Sequence, residues 1–394
     1  MNYVSIPVAY MPLVDAAPLI LAQEMGFAAA EGIALDLIAA PSWSSVRDML
    51  AFGRVDAAHM LSPVPLAMGM GLGGVATEIS SVSNLSINGN VIGVGTELKA
   101  KLDALGFSFD FHDPIAAAEA LVQVSDGPIS FGVPFPFSMH VELLRYWADG
   151  SALQKHGITI RTVPPPLMAQ ALAAGEVDAF CVGEPWGSVS VETGAGALLL
   201  PGKAIWSFAP EKTLAVRTNW AETEPDLLGR LMRAVWKAGR WLSDPAAHAT
   251  ASDLLSRKAY LDVSAELIDR ALSGHLTITQ EGDHRQIDGF VEFHSGAATF
   301  PWLSQARWIV ERLHMANGGA ALTDVQIAKI VRPDLHREHL AKLRCDLPGA
   351  SAKVEGAILS SMAVASAYGQ ITLQPDGFFD GQIFDPEAKF PPKK

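Results

Sequence analysis

The sequence predicts an α/β fold of two lobes with a ligand cleft between them, and three features of the chain predict it. The phrase LAFGRVDAAHM at residues 50–60 returns as LAAGEVDAFCVGEPW at residues 172–186. Val55 and Val177 stand 122 positions apart, far beyond the roughly 20–50-residue period of a solenoid, so the repeat marks two lobes. Around each phrase, apolar runs rich in β-branched residues alternate with segments of helical period, the pattern of parallel strands joined by right-handed crossovers. A chain of 394 residues is also long enough for two or three domains with large cores.

The first copy reads as strand VSIPVAY, helix DAAPLILAQEMGFAAAEG, strand IALDLIAA, helix SWSSVRDMLAFG and strand RVDAAHM. The second reads as strand PISFGVPF, helix SMHVELLRYWADGSALQKHG, strand ITIRTVPP, helix LMAQALAAG and strand EVDAFCVG. Gly53 and Gly175 stop the second helix of each copy, where a left-handed residue is needed. Asp56 and Asp178 open the strands that follow and read as structural acceptors of backbone N–H groups. After residue 205 the chain returns to the first lobe, and PDLLGRLMRAVWKAGRWLSD forms an amphipathic helix. The expected division is a first lobe from 1–90, a second lobe from 91–205, a first-lobe return from 206–345 and a tail from 346–394 that packs on the lobes. The tail ends GFFDGQIFDPEAKFPPKK.

Composition narrows the function. The formal net charge is −13, and the densest cationic runs, RPDLHREHLAKLR and the terminal PPKK, make no basic patch for direct nucleic-acid binding. Cys181 and Cys345 form no CxxC and read as buried apolar residues. No run of about 18 uncharged apolar residues offers a membrane span. The start, MNYVSIPVAYMPL, shows no basic region ahead of an apolar run, so a cytoplasmic location is expected. GMGLGG follows a helical segment rather than a strand, His336 and His339 in HREH are read as a solvated helix face, and no nucleophile, base and orienter fall together. The chain is not expected to be an enzyme or to carry a metal or cofactor.

Ligands of open parallel sheets collect at the carboxyl ends of strands, beside helix amino termini that favour anions. Four places meet that description. In PSWSSVRD, Ser42 or Ser44 caps a helix, and Trp43 at its mouth serves either the core or, through its ring N–H, an oxyanion. His140 stands near the start of HVELLRYW, as a backbone-satisfied histidine or as a donor to the same anion. Gly183 brings a backbone amide close to a ligand, with Glu184 read as a lobe-closing or hinge partner and Trp186 as packing. Lys212 precedes the strand TLAV and supplies the cation that a cleft anion requires in a chain with 42 acidic and 29 basic residues.

The phrases DAAPLILA, SWSSVRDMLAFGRVDAAHML, GVPFPFSMHVELLRYW, VPPPLMAQALAAGEVDAFCVGEPW and PEKTLAV resemble the nitrate- and bicarbonate-binding proteins of ABC transporters, the NrtA and CmpA family. They resemble equally the NasS-type cytoplasmic nitrate and nitrite sensors of the same fold. The resemblance covers roughly residues 3–345 and implies a type II periplasmic-binding-protein fold. It implies an oxyanion held by a Trp, a His, a Gly amide and a Lys, here Trp43, His140, Gly183 and Lys212. A fifth family ligand, a Gln, corresponds to the shorter Asn90.

With Met1 standing three residues before VSIPVAY, the leading expectation is a nitrate/nitrite sensor of the NasS type. Its implied partner is a NasT-type RNA-binding antiterminator. The alternative is the substrate-binding component of a nitrate, nitrite or bicarbonate ABC transporter. Lys212 argues against bicarbonate, for which a further carboxylate and calcium are expected.

Overall fold

The computed structural model describes residues 3–366 and 368–388; the terminal PPKK lies outside them. Thirteen strands build the two lobes and one appended hairpin: β1 (Val4–Tyr10), β2 (Ile33–Ala39), β3 (Ala57–Leu61), β4 (Ile79–Asn88), β5 (Asn90–Gly95), β6 (Ile129–Val133), β7 (Ile158–Thr162), β8 (Ala179–Gly183), β9 (Gly196–Pro201), β10 (Pro210–Arg217), β11 (His275–Thr277), β12 (His284–Gln286) and β13 (Val291–Glu292). A last hairpin, β14 (Met362–Ala365) and β15 (Gln370–Leu373), lies in the tail.

The duplicated phrase has a duplicated topology. One sheet runs β13-β4-β10-β3-β1-β2 and the other β7-β6-β8-β5-β9. In both, the first strand of the repeat pairs in parallel with the second on one side and the third on the other, and an antiparallel strand from beyond the repeat joins the third. Matching backbone bonds tie the units: Asp56 N–H donates to Pro7 and Asp178 N–H to Ser130, each at 3.0 Å. Both Asp residues sit one position ahead of their strands. Asp178 accepts from the Ser130 amide at 2.8 Å, as expected, whereas Asp56 pairs with the Arg217 guanidinium.

Helices cover the sheets with two departures from the sequence pattern. The long first helix of each copy breaks at a glycine: Ala17–Glu24 gives way to Phe27–Ala30 after Gly26 at φ 77°, and Met139–Asp149 to Leu153–His156 after Gly150. Gly53 and Gly175 take φ of 75° and 67°, the left-handed stop that their places require.

The chain crosses between sheets at Gly89, between β4 and β5, and again between β9 and β10. The return stretch 206–345 does not keep to the first lobe. The β11–β12 hairpin lies against the second: Leu198 in β9 donates its amide to Ile278 at 2.8 Å, and Arg285 donates to the carbonyls of Phe109 and Ser108. An apolar edge at β9 needs cover, and a hairpin from a distant part of the chain supplies it.

The tail binds both lobes. Phe378 stacks on Trp206 with centroids 4.8 Å apart and reaches Trp308 of the helix Leu303–Asn317. Asp380 accepts from the Tyr146 hydroxyl at 2.9 Å, on the second-lobe helix Met139–Asp149. Lys353 ties the tail to itself through Glu355 and Asp376.

A Cβ at Gly175 would meet no atom within 4 Å, so Gly175→Ala isolates backbone strain. The substitution is expected to lower stability by about 1 kcal/mol, read as a shift of the urea-denaturation midpoint with unchanged slope.

Candidate functional site

The Trp43 side of the site is set by a helix start. Ser42 caps the helix Trp43–Ala51 by accepting from the Ser45 amide, which fixes the backbone so that Trp43 points inward and is buried. Ser138 does the same for Met139–Asp149, accepting from the Val141 amide and placing His140 inside the protein, 1% exposed. Trp43 opens the second helix of the first repeat and His140 lies in the first turn of the first helix of the second. Gly183 ends β8, and a Cβ there would stand 2.8 Å from Leu13 Cδ2, 3.5 Å from Asp15 Oδ2 and 4.0 Å from His140 Nε2. A side chain there would have to displace Leu13 and would crowd Asp15 and His140.

Lys212 lies within β10, not before it, and is fully buried. It is not the lone cation expected from the sequence: its Nζ is 2.7 Å from Asp15 Oδ2 and 2.8 Å from Glu211 Oε1. It also stands 5.4 Å from the Trp43 ring centroid, in cation–π range. Burial alone would lower its pKa, but Asp15 and then Glu211 raise it above the ordinary lysine value. Burial pushes Asp15 up, and the Lys212 ammonium and His59 outweigh it, holding that carboxyl well below the usual range. Glu211, for which burial prevails over Lys212, is pushed up.

His59, on β3, completes the first-lobe side. Its Nδ1 accepts from the Met11 amide at 3.4 Å, leaving Nε2 to carry the hydrogen toward Asp15 Oδ1 at 3.0 Å. On the second-lobe side His140 Nδ1 is 3.3 Å from Glu211 Oε1. Burial, with Lys212 adding to it, holds His140 well below the ordinary histidine pKa, so the free ring is neutral.

Besides His59 Nε2, which faces Asp15, three buried ring nitrogens here, Trp43 Nε1 and both nitrogens of His140, have no hydrogen-bond partner. Buried donors left without partners cost about 1–3 kcal/mol each and call for an explanation. A small acceptor-rich anion that takes them together with Lys212 supplies one.

Asn90 departs from its expected role. Its amide donates to Glu211 Oε2 at 2.9 Å and its carbonyl packs on Gly202, where a Cβ would come within 1.7 Å of Oδ1. It orients Glu211. Glu184 also differs, because its carboxylate turns back to accept from the Ser188 amide at 3.0 Å, capping its own helix, and burial pushes its pKa up to about 7. Its backbone carbonyl makes the lobe contact instead, accepting from Val14 at 2.8 Å. Trp186 does more than pack, since its Nε1 donates to the Pro12 carbonyl at 3.0 Å.

Asp15, His59 and Glu211 went unread in the sequence. Asp15 was absorbed into a helix start, and Glu211 was masked by the lysine beside it. A usable signal was the adjacent acid and base of PEK inside an apolar strand. HREH is no solvated face: His336 is fully buried against the Phe300 ring at 5.3 Å. Among the described residues no group of three or more His, Cys, Asp or Glu could hold a metal ion, and no helix is long and apolar enough to cross a membrane.

Removing one member of a buried charge group leaves the others unpaired, at about 3–5 kcal/mol. Lys212→Met is expected to lose that much in urea denaturation. Adding Asp15→Asn to it should recover part of the loss; two losses that simply add would refute the coupling.

Comparison with known proteins places this geometry. Residues 2–256 match the model of the NMT1-like family. The nitrate/nitrite binding protein NrtA of Nostoc sp. (strain PCC 7120) is 30% identical over 388 residues, 96% of this chain and 82% of that protein. The nitrate import ATP-binding protein NrtC of Synechocystis sp. (strain PCC 6803) is 32% identical over 317 residues, 79% of this chain but 46% of that protein, so the chain spans less than half of that relative. The crystal structure of the periplasmic nitrate-binding protein NrtA from Synechocystis PCC 6803 shares the fold with a TM-score of 0.82 and 26% identity, over 98% of this chain and 96% of that one. The chain therefore belongs to the NMT1-like family and has the periplasmic-binding-protein fold of its NrtA-like substrate-binding proteins.

Proposed function

We propose that the chain is a receptor for nitrate and nitrite, without catalysis, that acts as the substrate-binding component of an ABC transporter. The observation that carries the ligand class is the convergence of unsatisfied buried donors, Trp43 Nε1 and the His140 ring, on the buried Lys212. Nitrate is favoured among small anions because the NrtA relatives bear that ligand in their names. Two lobes meeting at this point give the means of response: an anion bridging Trp43 of one and His140 of the other binds the closed form better and shifts the population toward it.

The transport reading is supported over the sensor by the relatives, which are named as import and binding proteins. Its partners are then membrane and ATPase components rather than a NasT-type antiterminator. It places the chain on the side of the membrane from which the anion is taken up, instead of in the cytoplasm expected of a sensor.

Because Lys212 also holds the fold together, the cleaner test is Trp43→Phe, which removes a donor and keeps the ring. Calorimetric titration of the wild type should show saturable 1:1 binding of nitrate and none of bicarbonate. Trp43→Phe should weaken nitrate by about tenfold or more while unfolding near the wild-type temperature. No binding of nitrate or nitrite by the folded wild type would overturn the reading.

A further inference from the structure

We propose that the anion binds together with one proton, and that His140 and Glu211 are the pair that takes it up. The inference rests on the receptor reading above and adds a co-ligand to it. Its starting point is charge. Lys212 is already held by two carboxylates, at 2.7 Å from Asp15 and 2.8 Å from Glu211. With both histidines neutral, the site has one net negative charge before any anion arrives.

A second negative charge at such a place is costly. Two unit charges 4 Å apart interact by about 4 kcal/mol at the effective dielectric of about 20 that suits protein sites. Lys212 cannot offset both the carboxylates and the ligand, so a positive charge must arrive with the anion.

The geometry singles out His140 to receive it. A neutral imidazole has one N–H, an imidazolium two. His140 has two directions to serve: Nδ1 faces Glu211 Oε1 at 3.3 Å, and Nε2 lies toward the Gly183 corner. Neither nitrogen has a hydrogen-bond partner. Protonated, the ring donates to Glu211 through Nδ1 and to the anion through Nε2; neutral, it can do only one. His59 has no such freedom, because Nδ1 accepts from Met11 and Nε2 is turned to Asp15.

The other charged and titratable groups around His140 are accounted for. Glu211 and Lys212 face it from β10, Asp15 from the turn after β1 and His59 from behind Asp15 on β3. Cys181 lies on β8, and Glu184 just beyond that strand is turned to its own helix. On His140's own helix, Glu142 pairs with Arg145 and lies near Arg312. Asn90 fixes Glu211 through its second oxygen, leaving Oε1, which accepts from Lys212 at 2.8 Å, to face the shared proton. In the free protein burial keeps the His140 ring neutral. The ligand's charge reverses that preference, and the proton comes from the solvent.

The test is calorimetric titration of the full chain with nitrate at about pH 8, in buffers of different ionisation enthalpy, where the dependence of the heat on the buffer counts protons. We expect close to one proton taken up per nitrate, with affinity falling about tenfold per pH unit between about pH 7 and about pH 9. In Glu211→Gln, which removes the charge and keeps only one neutral acceptor oxygen, the count should fall to near zero and the affinity should lose its pH dependence. Should that variant not fold, the wild-type count decides alone. Nitrate binding without proton uptake would overturn the inference and leave the receptor reading standing, as would uptake undiminished in Glu211→Gln for the role of the pair. Absence of nitrate binding at any pH would overturn both.

Discussion

A lysine ammonium fully enclosed between two carboxylates is the constraint on which the rest of this molecule depends. Each ion removed from water costs several kcal/mol, offset only when geometry and further hydrogen bonds are good. Here the four members arrive from three elements: Lys212 and Glu211 from a strand that returns after the second crossing, Asp15 from the turn after the first strand, and His59 from the third. Glu211 is in turn held by Asn90, the first residue after the chain has crossed to the other lobe. The cluster can form only if both crossings and both sheets are in place, so the polar centre and the topology specify each other.

The same constraint explains why the site sits at the seam between lobes. Trp43 and His140 stand at helix starts in different lobes, the second helix of the first repeat and the first helix of the second, each fixed by a serine cap. Around the charges, direct bonds close the seam: Val14 to the Glu184 carbonyl and Trp186 to the Pro12 carbonyl. The tail adds a second clasp away from the charges, with Phe378 on Trp206 and Trp308 and Asp380 on Tyr146. Binding energy spent at the first of these contacts is therefore felt by whole lobes rather than by one loop.

Much of this was legible in the sequence, for identifiable reasons. Strand and helix order within the repeat follows from local periodicity, and the parallel pairing of its strands from the crossovers that join them; the β3-β1-β2 and β8-β6-β7 orders come from the structure. Trp43, His140 and Gly183 were readable because each stands at a strand or helix end, where open α/β folds gather ligands, and Lys212 because a cleft anion needs a cation in an acidic chain; the structure brings all four together. The carboxylates were not legible. Asp15 and Lys212 meet across 197 residues, a contact that no local pattern encodes, and an acid beside an expected anion site reads as repulsive until its pairing is seen. The β11–β12 hairpin was missed on the same ground, since the demand for it lies at the edge of β9 and not in its own residues. Asn90 shows the opposite limit: its place in the family pattern pointed to the ligand, while its short side chain reaches Glu211 instead.

The central claim is that the unsatisfied donors of Trp43 and His140 close on one anion above the Lys212 cluster. A crystal structure of the nitrate complex tests it most directly. The account requires a planar anion with oxygens within hydrogen-bonding distance of Trp43 Nε1, His140 Nε2 and Lys212 Nζ, with Lys212 still in contact with Asp15. Nitrate bound elsewhere, or Trp43 and His140 satisfied by protein groups and turned away from it, would contradict the account.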